Sequence, residues 1–177
     1  RKILLAAEKL HYRPNAAARA LAANRMNTIG LASVFTRAEP NFYLLDVLDG
    51  VLEAASRHNQ NTTVFALHDW AHEAARLRDF CDGRIDGMVL IAPRLSEQQV
   101  AKLPSHLPFV FVHGTATPGR AVNLQSDDEA GAFDVVRLLI SLGHRRILHM
   151  AGEREVGDSE HRIAGYRRAL ESAGIPF

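Results

Sequence analysis

From residue 28 onward, short apolar runs rich in β-branched residues alternate with longer segments of helical periodicity, and this alternation constrains the fold most. The apolar runs predict strands, and their nearly continuous hydrophobicity is typical of parallel strands that are covered on both faces. Helices between such strands would form the covering layers. We therefore predict an α/β fold with a doubly wound parallel sheet. The predicted strands are Thr28–Phe35, Thr62–Leu67, Gly87–Ala92, Phe109–Val112, Ala121–Leu124 and Arg146–Met150.

The predicted helices of this alternating region follow its strands. They are Tyr43–Arg57, Ala71–Cys81, Ser96–Leu103, Asp128–Leu142 and Glu160–Ala173. Two further helices are predicted before the first strand. Residues 1–10 have apolar side chains at helical spacing, and Ala16–Ala23 forms a second, short helix for which Asn15 is a suitable N-cap.

Charge is distributed unevenly between the two ends of the chain. The net charge is +1 over 177 residues. Residues 1–25 hold six lysines and arginines against Glu8 alone, which is +5, so the remaining residues sum to −4. A basic N-terminal arm on a mildly acidic body is the distribution expected when one end of a protein meets phosphates. A solvated helix face explains the basic arm equally well.

Composition excludes several classes of protein. With 47% apolar and 23% charged residues, the chain is not disordered and has enough apolar residues for a core. Its apolar runs are far shorter than the roughly 18 residues that would span a bilayer, so we expect no contact with a membrane. The N-terminus does not resemble a signal peptide. Because Cys81 is the only cysteine, we expect a reducing, cytoplasmic location.

The sequence offers little for an enzyme. It lacks G-x-G-x-x-G after the first strand, a P-loop and G-x-S-x-G. His68 and His72 have the spacing of a metal pair but no third ligand at convincing spacing, and Cys81 has no obvious base partner. We therefore predict no catalytic residues, no metal and no cofactor.

Five short motifs follow one another along the chain. They are Tyr12-Arg13-Pro14-Asn15-Ala16-Ala17-Ala18-Arg19-Ala20-Leu21 with Asn27-Thr28-Ile29-Gly30-Leu31, then Arg84-Ile85-Asp86-Gly87-Met88-Val89-Leu90, Asp127-Asp128-Glu129-Ala130-Gly131, Leu142-Gly143-His144-Arg145-Arg146-Ile147, and Arg162-Ile163-Ala164-Gly165-Tyr166-Arg167-Arg168-Ala169-Leu170. In type and order they resemble the motifs of the LacI/GalR family of transcription regulators. The resemblance covers essentially the whole chain.

The resemblance implies a helix-turn-helix head, a hinge helix and a two-lobed core like that of a type I periplasmic binding protein. On that template residues 1–26 are the end of the DNA-binding head plus the hinge helix, 27–125 the N-terminal lobe of the effector-binding core, and 126–177 the start of the C-terminal lobe. The recognition helix would precede Arg1 and more of the core would follow Phe177, so we expect a fragment of a longer protein.

The function implied by the resemblance is sequence-specific repression of transcription. A homodimer would bind operator DNA, and a small-molecule effector, sugar-like in character, would bind between the lobes and set the affinity for DNA. Two other functions fit the same fold. One is a solute-binding protein of the transport type, against which the basic arm argues, and the other is an α/β enzyme.

The hinge helix would carry the contacts with DNA. Ala17, Ala18 and Leu21 lie along one small apolar face, which suits close packing of two such helices. The resemblance implies that Leu21 enters the minor groove and levers a base step apart, with Asn15 and Arg19 near the backbone and groove. The alternative is an ordinary linker helix whose leucine packs against the core.

The effector would bind between the lobes, beyond the carboxyl ends of the strands. Tyr43 and Leu44 follow the first strand and match effector-facing positions. Arg162 matches the family's strongest ligand contact, since its planar fork binds hydroxyls or a carboxylate. Asp158, in the loop before the same helix, is a candidate acceptor for hydroxyls, and Asp127 matches a nearly fixed aspartate. In the alternative interpretation Tyr43 is a core aromatic, Asp127 a helix cap and Asp158 a plain loop residue.

The chain departs from the family pattern at three positions near this site. His113, another effector-binding candidate, follows the strand Phe109–Val112 where the family often has an acidic residue. Phe42 replaces a typical proline, and Asp128 stands where asparagine is frequent. These changes leave the predicted fold as it is and leave the identity of the effector open.

Overall fold

The computed structural model describes residues 5, 9–12, 15–23, 25–35, 41–114, 121–152 and 157–177, and gives the backbone alone for residues 16, 17, 19 and 21. Most of the helix predicted for residues 1–10, and the end of the DNA-binding head that it represents, lies outside the described residues.

A parallel sheet of five strands forms the centre of the described structure. Its strands are β1 (Thr28–Val34), β2 (Asn61–Leu67), β3 (Gly87–Ile91), β4 (Phe109–Val112) and β5 (Val122–Leu124). They lie in the order β2-β1-β3-β4-β5, and every neighbouring pair is parallel. This confirms the predicted parallel α/β sheet. The reversal of strand order places a topological switch point between β1 and β3, where α/β sheets open a crevice at their carboxyl edge.

Seven helices are described. They are α1 (Ala16–Ala23), α2 (Phe42–Arg57), α3 (Trp70–Glu73), α4 (Arg76–Phe80), α5 (Glu97–Ala101), α6 (Asp128–Ser141) and α7 (Gly157–Ser172). Polar side chains fix several of their first turns. Asn41 Oδ1 accepts a hydrogen bond from the Leu44 amide at 3.0 Å, and Ser96 forms a reciprocal capping box with Gln99. Within the described residues, none of the helices combines the length and apolarity needed to cross a bilayer.

Three predicted elements differ from the structure. The helix predicted for 71–81 is two short helices, α3 and α4, although Ala74 and Ala75 between them keep right-handed helical backbone angles. Helix α7 begins at Gly157, three residues before the predicted start. The strand predicted for 146–150 is wrong, because those residues form no β-strand and no described strand pairs with them.

The sheet separates two apolar layers. Adjacent residues of one strand point to opposite faces, so Ala32 belongs to one layer and Leu31 to the other. The larger layer packs β1 to β4 against α3, α4 and α5 around Phe111, which is fully buried. The smaller layer packs the sheet against α2 around Leu44 and Ile91. Both faces are therefore covered, as the continuous apolar strands predict.

Helices α6 and α7 pack against each other around a third, smaller core. Its buried residues are Val136, Ala169 and Leu170. Gly165 lies where the two helices are closest, and a Cβ added there would overlap the backbone carbonyl of Glu129. The glycine of the Arg162–Leu170 motif therefore has a steric role in this helix pair.

Candidate functional site

A cleft lies beyond the carboxyl ends of β1, β3 and β4, where the start of α7 faces the sheet. Its volume is about 650 Å³, within the range of small-molecule sites. Polar side chains that line it include Asn41, Arg94, Gln125, Ser126, His161 and Arg162. A second hollow of about 500 Å³ adjoins it through Asn41 and Tyr43 and contains Leu44 and Trp70.

Tyr43 and His113 form one wall of the cleft. Tyr43 is in the first turn of α2, and His113 directly follows β4. Their rings meet edge to face, with centroids 5.2 Å apart and planes at 89°. Burial, followed by the negative charges of Asp158 and Asp128, raises the pKa of the Tyr43 hydroxyl. Tyr43 therefore keeps its proton at neutral pH and is available as a donor.

The backbone at this edge of the sheet adopts a conformation that is rare for non-glycine residues. Ala92 after β3 and His113 after β4 have φ angles of 49° and 53°. Their amides donate to Val112 O at 2.7 Å and Leu124 O at 2.8 Å, so each remains tied to the neighbouring strand. Backbone strain of this kind is concentrated at functional sites. Here the positive φ angles turn the backbone after β3 and after β4, at the edge of the cleft.

His113 lies opposite Asp158. The distance from His113 Nδ1 to Asp158 Oδ2 is 3.4 Å, an ion-pair distance when the histidine is protonated. The geometry gives no hydrogen bond, and the buried Nδ1 atom has no hydrogen-bond partner among the described residues. A polar atom that is buried without a partner is unfavourable. The Asp158 side chain, which is 36% exposed, keeps acceptor oxygens accessible to a ligand.

Arg162 and Asp128 join α7 to α6 at the same cleft. Arg162 Nε donates to Asp128 Oδ1 at 2.8 Å, and Ser126 Oγ donates to the other carboxylate oxygen at 3.2 Å. The Asp128 side chain is only 10% exposed, whereas that of Arg162 is 54% exposed. Since the pair uses Nε–H, one of the five donors of the guanidinium, Arg162 retains donors for a ligand.

Three of these side chains have the composition of a metal site. Ligand atoms of His113, Asp128 and Asp158 lie within 4.8 Å of one another. However, the Arg162 guanidinium already neutralises Asp128, and a second cation beside it would be repelled. The arrangement therefore favours the hydroxyl groups of an organic ligand over a metal ion.

Two reactive side chains outside the cleft, His72 and Cys81, contact other residues of the chain. His72 Nδ1 lies 3.0 Å from Asp69 Oδ1 on the surface. Cys81 is buried, its Sγ donates to Leu77 O at 3.0 Å, and burial, with a smaller contribution from Asp82, raises its pKa to about 11. Because the thiolate is the reactive form, Cys81 is a poor nucleophile at neutral pH.

A family of known proteins matches most of the chain. The family described as "Periplasmic binding proteins and sugar binding domain of LacI family" matches residues 28–177. The chain belongs to this family. The transcriptional repressor PurR of Vibrio parahaemolyticus is 29% identical over 180 residues, which is 99% of this chain and 53% of that protein. The chain therefore spans about half the length of the curated relatives it matches.

Solved structures of the LacI family have the same fold. The transcriptional regulator CelR in complex with cellobiose is 27% identical, with a TM-score of 0.70 over 99% of this chain and 53% of that one. The lac repressor dimer bound to operator and the anti-inducer ONPF has a TM-score of 0.77 over the same shares at 20% identity, a likeness of fold. The resemblance to the LacI/GalR family and the predicted fold are thus confirmed, and these relatives are transcription regulators rather than enzymes.

The effector residues suggested by the LacI resemblance do not all lie in the cleft. Tyr43, His113, Asp158 and Arg162 line it together. Leu44 is 6% exposed in the core beneath α2 and reaches only the adjoining hollow. Asp127 is the N-cap of α6, and its Oδ1 accepts a hydrogen bond from the Ala130 amide at 2.9 Å. Their effector-binding roles remain predictions.

Other lining residues were not singled out from the sequence. Arg94 follows β3, and Gln125 and Ser126 follow β5, so the rule that ligands bind at carboxyl strand ends was the signal that could have found them. In the sequence, Asp128 stands out only as a departure from the family pattern. Its partner Arg162 lies 34 positions away, a separation that sequence spacing does not reveal.

The residues predicted to touch DNA lie on or next to α1. The helix spans Ala16–Ala23 as predicted, and Asn15 Oδ1 accepts a hydrogen bond from the Ala18 amide at 3.3 Å. The Ala18 side chain is exposed. The side chains of Ala17, Arg19 and Leu21 lie outside the described residues, so the predicted groove contacts remain predictions.

Proposed function

We propose that the chain is the hinge and part of the sensor of a DNA-binding transcription repressor. Its effector is a small, uncharged, polyhydroxylated molecule that binds in the cleft. The observation that carries this proposal is that α7 brings Asp158 and Arg162 to the same cleft as Tyr43 and His113. These two pairs belong to the two lobes of the proposed core, so one ligand would contact both.

Charge and chemistry support a sugar-like effector. Arg162 is paired with Asp128, so these two opposite charges at the cleft already balance each other. Such a site offers acceptors on Asp158 and donors on Arg162 and Tyr43, an arrangement suited to ligand hydroxyls. The aromatic wall of Tyr43 and His113 would cover an apolar face of a sugar ring.

Control of DNA binding would follow from linkage between two sites. An effector that binds one arrangement of the lobes more tightly shifts the protein toward that arrangement. The same free energy then appears as a change in affinity for operator DNA. Since DNA is its target, the protein would work in the compartment that holds the chromosome, the cytoplasm of a bacterium.

The DNA-facing part of the proposal rests on α1. An isolated helix of eight residues is too short to be stable in water, so we propose that DNA or a second hinge helix stabilises it. Leu21 would enter the minor groove as an apolar wedge, and the basic residues among residues 1–25 would contact phosphates. Ala17 and Ala18 would permit close approach of the partner helix.

A homodimer is supported by apolar side chains that face solvent on the described chain. Leu45 and Leu52, seven residues apart on α2, are 50% and 40% exposed. Val64 is 46% exposed on β2, which is the edge strand of the sheet. A second copy of the chain would bury this surface.

A Leu52→Glu variant should then weaken dimerisation in sedimentation, whereas Leu142→Glu, also on an exposed leucine, should leave dimerisation unchanged.

Titration of the intact protein with neutral sugars tests the effector site. Cellobiose, glucose and galactose are the probes, with glucose 6-phosphate as a charged control, and the fluorescence of Trp70 beside the cleft is the signal. Arg162→Ala should cost about 2 kcal/mol of affinity for a bound sugar, because a charge-assisted contact is lost. Arg168→Ala is the matched control, since Arg168 is on the same helix in an ion pair with Glu129. Equal affinities for the two variants would remove Arg162 from the site.

A further inference from the structure

The segment Arg25–Thr28 connects α1 to β1, and Asp86 from a distant part of the chain holds it. Asp86 directly precedes β3. Its Oδ1 accepts a hydrogen bond from the Met26 amide at 2.8 Å, and its Oδ2 accepts one from the Thr28 amide at 3.3 Å. The Asp86 amide in turn donates to Thr28 O at 2.8 Å. One residue thus makes three backbone contacts with the connector.

Asn27 gives the connector the shape that this contact needs. Its φ is 50°, in the left-handed region, which turns the chain between the two amides that Asp86 binds. Asn27 O accepts a hydrogen bond from the Asn61 amide, at the start of β2, at 2.7 Å. At the other end, the Arg25 amide donates to Ala20 O at 3.0 Å. The connector is therefore fixed to two strands and to α1.

Asp86 also has a direct structural link to the cleft. Strand β3 begins immediately after Asp86 and ends at Ile91, and the next residues, Ala92 and Arg94, line the cleft. Five strand residues span about 17 Å. Because β3 is hydrogen-bonded on both sides, to β1 and β4, it is a rigid connection between Asp86 and the cleft.

We propose that Asp86 is the positioning residue that couples the effector cleft to the hinge helix. It contacts neither effector nor DNA. Its carboxylate sets where α1 leaves the core, so that a lobe movement at the cleft end of β3 changes the position of α1. This proposal rests on the proposed function, because it takes α1 to be the DNA-contacting hinge.

The test is Asp86→Asn in the intact protein. Asparagine has the size of aspartate, but its NH₂ group would face one of the two amide donors, so one hydrogen bond is lost. Operator affinity should fall about tenfold, and the effect of a bound sugar on operator affinity should shrink toward onefold. Sugar affinity should stay within about twofold of the wild type. Hydrogen exchange at the Met26 and Thr28 amides should accelerate at least tenfold.

Asp82→Asn is the matched control, since Asp82 lies in the same loop and pairs at the surface with Arg84, whose Nε donates to its Oδ1 at 2.8 Å. It should change none of these quantities. Asp86→Glu keeps the charge on a longer side chain and should give effects between those of the wild type and Asp86→Asn. It replaces Asp86→Asn in the test if that variant fails to fold. Faster amide exchange with unchanged operator affinity and sugar response would reduce Asp86 to a structural role. A wild-type protein that binds no DNA would instead refute the proposed function.

Discussion

The sheet with helices α2 to α5 and the pair formed by α6 and α7 are stabilised in different ways. The sheet has apolar layers on both faces, and the larger layer alone contains fourteen buried residues. The hydrophobic core of the helix pair has three buried residues, and the pair leaves apolar side chains such as Leu138 and Leu142 more than half exposed. Strands with many partners bury their side chains on both faces, whereas two helices bury only the stripe between them. The sheet should therefore carry most of the stability of the described chain.

Truncation of one core side chain in each region tests this difference. Phe111→Ala removes a fully buried ring from the larger layer and should cost about 3–5 kcal/mol of unfolding free energy. Val136→Ala, in the helix pair, should cost about 2 kcal/mol, because it removes only two methyl groups and leaves a smaller cavity than the loss of a ring. Urea unfolding measures both. Phe42→Ala, at a phenylalanine that is 72% exposed, is the control and should change stability little. Equal costs at the two core sites would contradict the comparison.

Gly165→Ala sharpens the description of the helix pair. The added Cβ would overlap the Glu129 carbonyl, so α6 and α7 must move apart at a cost of about 2–3 kcal/mol. Gly131→Ala on α6 has open space around it and should stabilise the helix by about 0.5–1 kcal/mol. Opposite signs for the two variants in thermal unfolding are the expected result. Two similar small effects would show that the helices are not in close contact.

The pH dependence of stability tests whether water is excluded from the larger apolar layer, which contains Cys81. Burial raises the pKa of Cys81 from 9.0 to about 11, so the folded state holds the thiol proton more tightly than the unfolded state. This contribution is fully present below pH 9 and is lost as pH rises through 11, by about 2 kcal/mol. Cys81→Ala should show a shallower loss over that range in urea unfolding. Parallel pH profiles would mean that the thiol is solvated.

The sequence predicted the sheet region well because its signals are local. Apolar runs located all five strands, and side-chain caps such as Ser96 and Asn15 marked where helices begin. The failure at residues 146–150 has a physical cause. Hydrophobicity predicts that a segment is favoured in a buried position, but a strand also needs a neighbouring strand to pair with. Leu148 and Met150 are almost fully exposed. Periodicity does not contain that information.

The candidate site was predictable only in part. Strand ends and family motifs mark Tyr43, His113, Asp158 and Arg162, and all four line the cleft. Asp128 could not be chosen as a partner of Arg162, since their contact depends on how α6 and α7 pack. Leu44 shows the limit of the strand-end rule, because a position next to a strand end does not fix whether a side chain faces the cleft or packs in the core, where Leu44 lies.

Operator affinity of the intact protein, with the operator selected from random duplex DNA, tests the central claim most directly. The sugar that binds the cleft should change that affinity about 5- to 150-fold. Leu21→Ala should weaken specific binding by about 1–3 kcal/mol without lowering the melting temperature, because alanine favours the helix and phosphate contacts remain. Operator affinity that ignores the sugar, together with a Leu21→Ala variant that melts earlier and binds operator as before, would contradict the account.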